Sequence, residues 1–216
     1  MEICKDKGSS FGLLLDVGAG FGTFLEELQK LQAFDQLHAV EPSSKLADSC
    51  RRKGLSVIEE LAENVHIDAP ADVITNFELI EHLFEPFAFL EHCYRLLKPG
   101  GLMILTTPNI LGFDLLVLRA LSDNIGAPNH INYFHPQALR ILMDRAGFSV
   151  LEVLTPGELD VDIVRNKIKA GEFDVSSNPF LQEVLVERGD ILKGAFQKFL
   201  ADNQLSSHRS VVAQRR

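Results

Sequence analysis

Tryptophan is absent from this sequence of 216 residues, tyrosine occurs twice, and cysteine occurs three times, at Cys4, Cys50 and Cys93. The cysteines are far apart, odd in number and form no Cys-x-x-Cys pair, so the sequence indicates neither a disulfide framework nor a cysteine-ligated zinc site. We expect reduced thiols in a cytoplasmic protein, also because the opening stretch MEICKDKGSS lacks the apolar segment of a secretion signal.

Long apolar runs and an excess of positive charge are also missing. No stretch approaches the roughly 18 consecutive apolar residues of a membrane-spanning helix. Lysine and arginine total 21 against 30 aspartate and glutamate residues, which gives a formal net charge of −9. Proteins that capture nucleic acids usually present a basic surface to the phosphates. The charge therefore argues against a nucleic acid as the main partner.

The chain does contain strand-like and helix-like segments in alternation, which is typical of βα units winding a mostly parallel sheet. The strand-like runs lie at 13–17, 37–42, 55–59, 71–77 and 102–108. KPGG at 98–101 predicts a sharp turn before the last of these. FSVLEVL at 148–154 and SSHRSVVAQ at 206–214 indicate two further strands. We expect one domain over 1–216, with a helical insertion at 157–205.

Three closely spaced glycines, Gly18, Gly20 and Gly22, follow the first strand and precede a helix-like segment. Glycine accepts positive φ and lets a ligand approach the backbone, while a helix N-terminus offers free N–H groups. Glu41 closes the second strand about 20 residues on, the spacing at which an acid reaches ribose hydroxyls in nucleotide-binding βαβ units. The glycine turn and Glu41 together predict a nucleotide-like ligand. The alternative is that Glu41 is an ordinary solvated residue.

Two ligands fit this turn, a dinucleotide and S-adenosylmethionine. The dinucleotide fingerprint is Gly-x-Gly-x-x-Gly, and Thr23 stands where its third glycine would be. The observed spacing is Gly-x-Gly-x-Gly, which counts against a dinucleotide without excluding it.

Five segments, in order and at appropriate spacing, carry a resemblance to a known family. They are DVGAGFG, AVEPS, ADVITNFELIEHL, LKPGGLMILTTPN and INYFHPQALRILMDRAGFSVLEV. Residues 13–154 resemble class I S-adenosylmethionine-dependent methyltransferases, especially the small-molecule group that includes ubiquinone-biosynthesis-type enzymes. The resemblance implies a Rossmann-like α/β fold, with a seven-stranded sheet in the order 3-2-1-4-5-7-6, strand 7 antiparallel, and helices on both faces.

The same resemblance implies which residues contact the cofactor. The implied contacts are Asp16, Gly18, Ala19 and Gly20 for the methionine part of S-adenosylmethionine, Glu41 and Pro42 for its ribose, and Asn76, Phe77 and Glu78 for its sulfonium side. The adenine contact is implied either near Glu60 and Leu61 or near His66 and Asp68.

His82 and His130 are the candidates for catalytic chemistry. Methyl transfer from a sulfonium is an in-line displacement, so a general base is needed only where the acceptor must lose a proton. In similar enzymes the position of His82, after strand 4, borders the methyl group, and the stretch around His130, after strand 5, holds acceptor-binding residues. Each ring could equally be a structural histidine bonded to backbone. Asn109, Asn132 and Tyr133 are candidate acceptor contacts.

Two further groups of residues were considered, one as the lining of an acceptor pocket and the other as ligands of a metal ion. Phe84, Phe87 and Phe89 cluster after His82 and suggest an apolar acceptor pocket, although core packing explains such clusters more often. We expect no metal site. The residues considered for one, which match no compact ligand pattern, are His130, His135, Asp114, Asp144 and Glu158.

We therefore expect a methyltransferase that uses S-adenosylmethionine and acts on an oxygen or nitrogen of a small molecule, either a sugar or glycan precursor or a quinone-like metabolite. An NAD(P)-dependent oxidoreductase and a non-catalytic nucleotide-binding module are the alternatives. The sequence after strand 4 is NFEL, unlike the Asp/Asn-Pro-Pro-aromatic tetrad of amino-directed DNA methyltransferases. The insertion at 157–205 would supply a lid or a contact in a homodimer.

Overall fold

The computed structural model describes residues 2–126 and 128–216, and its centre is a seven-stranded sheet in the order β3-β2-β1-β4-β5-β7-β6. The strands are β1 (Leu13–Val17), β2 (Gln36–Val40), β3 (Ser56–Ile58), β4 (Ala71–Phe77), β5 (Leu97–Pro108), β6 (Phe148–Leu154) and β7 (His208–Arg215). β7 is antiparallel to both of its neighbours, β5 and β6, and the remaining pairs are parallel. The predicted fold class and strand order are confirmed.

Helices pack on both faces of this sheet. They are α1 (Glu2–Asp6), α2 (Thr23–Lys30), α3 (Ser44–Arg52), α4 (Pro86–Leu96), α5 (Phe113–Leu118), α6 (Pro136–Arg145), α7 (Asp160–Lys169), α8 (Pro179–Leu181) and α9 (Gly189–Asp202), with a π-helical turn at Gln182–Glu187. Short 3-10 turns lie at Ala62–Asn64, Ile80–His82 and Arg119–Leu121. None of these helices, within the described residues, is long and apolar enough to cross a membrane.

The alternation of side chains along β1 divides the core into two layers. Leu15 belongs to a buried cluster with residues of α4 and α6, while Leu14 belongs to a second cluster with residues of α2 and α3. This follows because successive residues of a strand point to opposite faces of the sheet. Both faces of the sheet are therefore covered, as the apolar character of its central strands predicts.

The segment between β6 and β7 forms a third buried cluster with α5. Phe113 of α5 packs there with Val161 and Val164 of α7 and Leu200 of α9. The inserted helices therefore share a core with a helix that follows β5. The assignment of the whole chain to one domain stays a prediction that this packing supports.

The predicted start of β5 is wrong, whereas the bounds of β2, β3 and β7 differ from the predicted ones by one or two residues. Residues 98–101 do not precede β5 as a separate turn; they form a bulge inside it, because Ala71 pairs with Leu97 while Val73 pairs with Leu102. Asp72 of β4 anchors the bulge. Its carboxylate is almost fully buried and accepts a hydrogen bond from Nζ of Lys98, in the bulge, and another from the N–H of Leu13 in β1, both at 2.8 Å. An apolar pattern does not indicate that a strand continues through these residues, because they are lysine, proline and two glycines.

Candidate functional site

The carboxyl ends of β1, β2, β4 and β5 meet at one edge of the sheet, because these strands are parallel and adjacent. Most of the predicted site residues follow one of these strands, so the fold brings them to this edge. In open α/β sheets this edge is where ligands bind.

The glycine turn between β1 and α2 is fixed on one side and open on the other. Gly18, Gly20 and Gly22 have φ values of 82°, 55° and 71°, in the region that favours glycine. A Cβ on Gly22 would lie 2.8 Å from the Sγ of Cys50, so α3 packs directly against the turn there. A Cβ on Gly20 would meet no atom within 4 Å, so Gly20 is the point at which a ligand can approach the backbone.

Glu41 is buried beside this turn and is not an ordinary solvated residue. Its Oε2 accepts a hydrogen bond from the N–H of Gly20 at 2.9 Å, and its Oε1 accepts one from the N–H of Ser43, also at 2.9 Å. A carboxylate offers about four lone pairs, so each oxygen keeps one for a further donor. Two hydroxyls of a ribose are donors of the required kind.

Two polar groups lie beneath the turn. Asp16 is 3% exposed and accepts a hydrogen bond from the hydroxyl of Thr75 at 2.7 Å. Burial raises the pKa of Asp16 to about 6, although the bond from Thr75 acts in the opposite direction. Asn76 is fully buried, donates to the carbonyl of Val17 at 3.0 Å, and has a side-chain oxygen with no partner. This edge of the sheet therefore holds spare hydrogen-bond acceptors, which suit a ligand with an ammonium and hydroxyl groups.

Phe77, the last residue of β4, and Glu78, which follows it, make different contacts. The ring of Phe77 packs edge-to-face on Phe24 of α2, with centroids 4.8 Å apart, so it supports the turn's helix. Glu78 has a positive φ of 51°, and its Oε2 lies 3.3 Å from Nε2 of His208. Partial burial opposes ionisation of Glu78, yet the bond from His208 holds its pKa below the ordinary value; the same bond raises the pKa of His208.

The two candidate catalytic histidines are brought together although they lie far apart in the sequence. The ring centroids of His82 and His130 are 4.7 Å apart. Nδ1 of His82 lies 2.8 Å from the carbonyl oxygen of Asn129, and Nδ1 of His130 lies 2.9 Å from that of Asn124. A carbonyl only accepts, so each Nδ1 carries the proton and each Nε2 has a free lone pair when the ring is neutral.

Sequence reasoning missed Glu81, which lies beside these rings. Its side chain is completely buried; Oε2 accepts from the hydroxyl of Thr107 at 2.9 Å, and Oε1 has no hydrogen-bond partner and lies 3.9 Å from Nε2 of His82. Burial raises the pKa of Glu81 above its ordinary value. The sequence offered one indication of Glu81, its position next to His82 in ELIEHL. The burial of its carboxylate depends on the 3-10 turn at Ile80–His82 and cannot be predicted from the order of apolar and polar residues.

The predicted acceptor contacts divide into one structural residue and two that border the site. Asn109 is fully buried; its amide donates to the carbonyls of Gln204 and Ser206, and its oxygen accepts from Arg209 at 2.6 Å. We therefore leave Asn109 out of the site. Asn132 donates to the carbonyl of Leu83 at 2.6 Å.

Tyr133 lines a cavity of about 300 Å³ beyond the carboxyl end of β5. The other lining residues are Ile110, Leu115, Arg119 and Ile125. The ring of Tyr133 is 6.1 Å from that of His130, so this mostly apolar cavity adjoins the two histidines. Sequence reasoning placed an apolar pocket at phenylalanines instead.

The phenylalanines after His82 do not form a pocket together. Phe84 is 88% exposed, Phe87 packs under the guanidinium of Arg145 at 5.1 Å, and Phe89 is fully buried in the core. Their different environments fit helix packing, the alternative explanation of the cluster.

The structure also separates the two candidate adenine positions. Glu60 and Leu61 follow the carboxyl end of β3, at the same edge as the glycine turn. His66 and Asp68 line a cavity with Leu13, at the amino ends of the strands. Of the two pairs, Glu60 and Leu61 lie at the edge of the sheet that carries the glycine turn.

Comparisons with known proteins identify a family. Residues 5–153 match a family model described as a methyltransferase domain. The ubiquinone biosynthesis O-methyltransferase of Maricaulis maris is 34% identical over 151 residues, which is 63% of this chain and 59% of that protein. A probable S-adenosylmethionine-dependent methyltransferase of Mycolicibacterium smegmatis is 35% identical over 99 residues, 44% of this chain and 35% of that protein.

A solved structure shows the same fold over nearly the whole chain. A SAM-dependent methyltransferase of Archaeoglobus fulgidus superposes with a TM-score of 0.66 at 18% identity, covering 99% of this chain and 90% of that one. At such low identity the similarity concerns the fold alone. The curated relatives are longer, and the chain spans 35% and 59% of the two named above.

Proposed function

The chain belongs to the methyltransferase domain family, and on that premise we propose that it catalyses methyl transfer from S-adenosylmethionine to a small-molecule acceptor at the carboxyl edge of its sheet. Family membership confirms the resemblance found in the sequence, and S-adenosylmethionine is the cofactor that the matching proteins indicate. The observation that carries the proposal is the pairing of Glu41 with Gly20, which holds a buried carboxylate beside open backbone.

The residues around the turn fit this cofactor group by group. We assign the ribose hydroxyls to Glu41, with Pro42 beside it, and the methionine ammonium to Asp16 with the backbone of Gly18, Ala19 and Gly20. Spare lone pairs on both acids supply the acceptors that an ammonium and a diol need.

The adenine and sulfonium positions follow from the same edge. We place adenine against Leu61, which is 55% exposed although it is a large apolar residue. The sulfonium side lies toward Asn76, Phe77 and Glu78, at the end of β4. An exposed leucine beside a nucleotide site is the kind of surface that an adenine ring covers.

Bound S-adenosylmethionine supplies an electrophilic methyl group on a good leaving group. The task of this chain is then to hold the acceptor in line, an effect that can amount to roughly 7–11 kcal/mol. The cavity at Tyr133 holds the acceptor, and His82 and His130 present Nε2 lone pairs beside it. Those nitrogens are available to the acceptor as proton acceptors or as ligands.

The lining of this cavity favours a quinone-like acceptor over a sugar. Ile110, Leu115 and Ile125 offer aliphatic surface, and Tyr133 offers an aromatic face. Arg119 is the one charged residue of this lining, and a sugar would need several further polar partners, which the other lining residues do not supply. We propose an oxygen or nitrogen nucleophile on an otherwise apolar molecule. The net charge of −9 speaks against a nucleic acid as the acceptor.

Titration calorimetry of the purified protein with S-adenosylmethionine, S-adenosylhomocysteine and NAD(P)H tests the proposal. We expect both sulfur ligands to bind, NAD(P)H not to bind, and Glu41→Ala to abolish the heat of binding. Binding of NAD(P)H alone would replace the proposal with an oxidoreductase. A set of phenolic, amine and sugar acceptors, assayed with a labelled methyl group, then tests the acceptor; transfer to sugars alone would contradict the assignment of the cavity.

A further inference from the structure

We propose that the guanidinium of Arg119 binds a carboxylate on the acceptor, so that the molecule methylated by this chain is an apolar body that carries one negative charge. Arg119 is the one charged residue among the described residues that line the cavity of about 300 Å³ beyond β5. The inference rests on the proposed function for the use of this cavity by the acceptor, and it adds the class of substrate.

The charge of Arg119 is available to a ligand. Within residues 2–126 and 128–216, its guanidinium makes no ion pair and no hydrogen bond. The acidic side chains of the same segment have other partners. Oδ2 of the buried Asp114 accepts from the hydroxyl of Ser122 at 2.7 Å, and Asp123 pairs with Lys167 at 2.9 Å. The five N–H donors of Arg119 can therefore serve an anion that comes from outside.

The apolar part of the lining favours a ligand that is charged at one end only. Ile110, Leu115 and Ile125 supply aliphatic surface, whereas Arg119 is exposed at the rim. A guanidinium at the rim keeps contact with water and avoids the cost of full burial. Beside apolar surface, its attraction for a carboxylate is screened less than in open solvent. Arg119 then selects, among the apolar molecules that fit, those with an anionic end.

The backbone of Arg119 gives a second, independent indication. Its φ of 52° and ψ of −122° lie where glycine is at ease and a residue with a Cβ is strained. The strained residue opens the 3-10 turn Arg119–Leu121, in which its carbonyl accepts from the N–H of Ser122 at 3.0 Å. Glycine would serve the fold better at this position. Use of the arginine side chain by a ligand explains why the strain is kept.

The wall that faces the ligand is fixed in place. The carbonyl of Asn124 accepts from the hydroxyl of Tyr133 at 3.2 Å and lies 2.9 Å from Nδ1 of His130. The aromatic face of the cavity and the histidine beside it are thus tied to one residue of the segment that follows Arg119. An acceptor held by its carboxylate at Arg119 can then turn its nucleophile toward His130.

A carboxylate suits this site better than a phosphate does. Two carboxylate oxygens match the fork of one guanidinium and carry a single charge. A phosphate monoester carries about −1.5 to −2 charges at pH 7 and needs more donors than one side chain offers. No second cation is present among the described lining residues. The net charge of −9 also opposes the approach of a polyanion.

Three probes of equal shape test the inference by calorimetry, on protein saturated with S-adenosylhomocysteine and on protein alone. They are para-hydroxyphenylbutanoate, its neutral amide para-hydroxyphenylbutanamide, and para-hydroxyphenylpropylphosphonate. We expect the carboxylate to bind at least about ten-fold more tightly than the amide, which is the ratio for loss of a hydrogen bond to a charged group. Equal binding of carboxylate and amide would overturn the inference, and tighter binding of the phosphonate would overturn the choice of a carboxylate.

Variants of Arg119 assign the effect to its side chain. Arg119→Gln should weaken binding of the carboxylate by at least about ten-fold and leave the amide within about two-fold; Arg119→Lys should fall between Arg119→Gln and wild type. The control is Arg52→Gln, a change in an exposed arginine at the end of α3 that does not line the cavity. Equal weakening of both probes by Arg119→Gln, or an equal effect of Arg52→Gln, would overturn the inference.

Arg119→Gly separates a role in binding from a role in folding. Relief of strain should raise Tm, while affinity for the carboxylate probe falls as in Arg119→Gln. A lower Tm with unchanged affinity would assign Arg119 to the fold and overturn the inference. If this variant fails to fold, Arg119→Gln and Arg119→Lys decide.

The inference and the proposed function fail separately in these titrations. Protein that binds S-adenosylhomocysteine but shows no preference for the carboxylate overturns only the anion site. Protein that does not bind S-adenosylhomocysteine overturns the proposed function, and a preference for the carboxylate that depends on Arg119 then still supports the anion site.

Discussion

Oε2 of Glu41 accepts a hydrogen bond from the N–H of Gly20 across 2.9 Å, so the acid that follows β2 and the turn that follows β1 hold one another in place. The second oxygen of Glu41 is held by the N–H of Ser43. Both carboxylate oxygens therefore face a backbone donor, and the carboxylate cannot rotate without losing a bond. The proposed ribose site is thus formed before a ligand arrives, which would reduce the ordering cost of binding.

Glu41→Gln should weaken the binding of S-adenosylmethionine. Whichever way the new amide is oriented, its NH₂ group faces either the N–H of Gly20 or that of Ser43, so one donor opposes another. Loss of a hydrogen bond to a charged group costs about 1.5–3 kcal/mol, or roughly ten-fold to 150-fold in Kd. Calorimetry measures the change, with Glu27→Gln on the exposed face of α2 as control. Equal affinity in Glu41→Gln and wild type would remove Glu41 from the site.

Binding of S-adenosylmethionine should depend on pH through Asp16. Burial raises the pKa of this carboxyl to about 6, so it is ionised above that pH and protonated below it. Only the ionised form accepts bonds from an ammonium with both oxygens. We expect Kd to be lowest near pH 7 and to rise about ten-fold per pH unit below about 6. It should rise again above about pH 8, where the α-ammonium of the ligand itself loses its proton. Asp16→Asn should bind weakly at all pH values; an unchanged pH profile in that variant would contradict the assignment.

Gly20→Ala and Gly22→Ala form a matched pair that separates binding from folding. Both positions have positive φ, so both variants pay a similar backbone cost of about 1 kcal/mol. Only at Gly22 does the new Cβ also meet Cys50 and Leu55, at 2.8 and 2.9 Å. Thermal unfolding should therefore show a larger fall in Tm for Gly22→Ala. If both variants fold, calorimetry should show that Gly20→Ala loses more affinity for the cofactor than Gly22→Ala does. A larger loss of affinity in Gly22→Ala would contradict the finding that Gly20 faces the ligand and Gly22 faces α3.

Asp72→Asn should destabilise the protein by about 1–3 kcal/mol, because buried bonds to the N–H of Leu13 and to Lys98 are lost or weakened. Burial opposes ionisation of Asp72, but bonds from Lys98, Ser10 and Leu13 hold its pKa below the ordinary value. The stabilisation is therefore present above about pH 4 and is lost as the pH falls through the folded-state pKa.

Urea unfolding at pH 7 and at lower pH measures this difference, which should shrink in acid. Asp202→Asn is the control, since its partner Lys198 lies on an exposed helix surface and such pairs contribute little. A difference that grows in acid would show that the sign assigned to Asp72 is wrong.

Much of the sheet was predictable because its strands are apolar runs that end in recognisable signals. LLLDV and ADVITNF were predicted with their observed bounds, and the glycines and Glu41 mark the ends of β1 and β2. The bulge at 98–101 was not predictable, because it depends on Asp72 of a different strand. The register between two strands depends on both segments, whereas the hydrophobic periodicity of a sequence describes one segment at a time.

The candidate site was predictable where the residues follow strands in order and not where it depends on packing. His82 and His130 were identified individually, but their proximity and the burial of Glu81 arise from the 3-10 turn after β4 and the loop before α6. The hydrogen bonds of Asn109 were not predictable because its partners, Gln204, Ser206 and Arg209, lie about 95–100 residues away in the chain. Such long-range hydrogen bonds leave no local signal.

The position of β7 also has a consequence for synthesis on the ribosome. β5 and β6 meet only through β7, which is the last strand of the sheet in chain order. Until β7 has emerged from the exit tunnel, β5 has an open edge and β6 has no partner. Open strand edges are the surfaces through which nascent chains aggregate. The nascent chain therefore needs chaperone protection longest at β5 and β6, although both are translated well before the end.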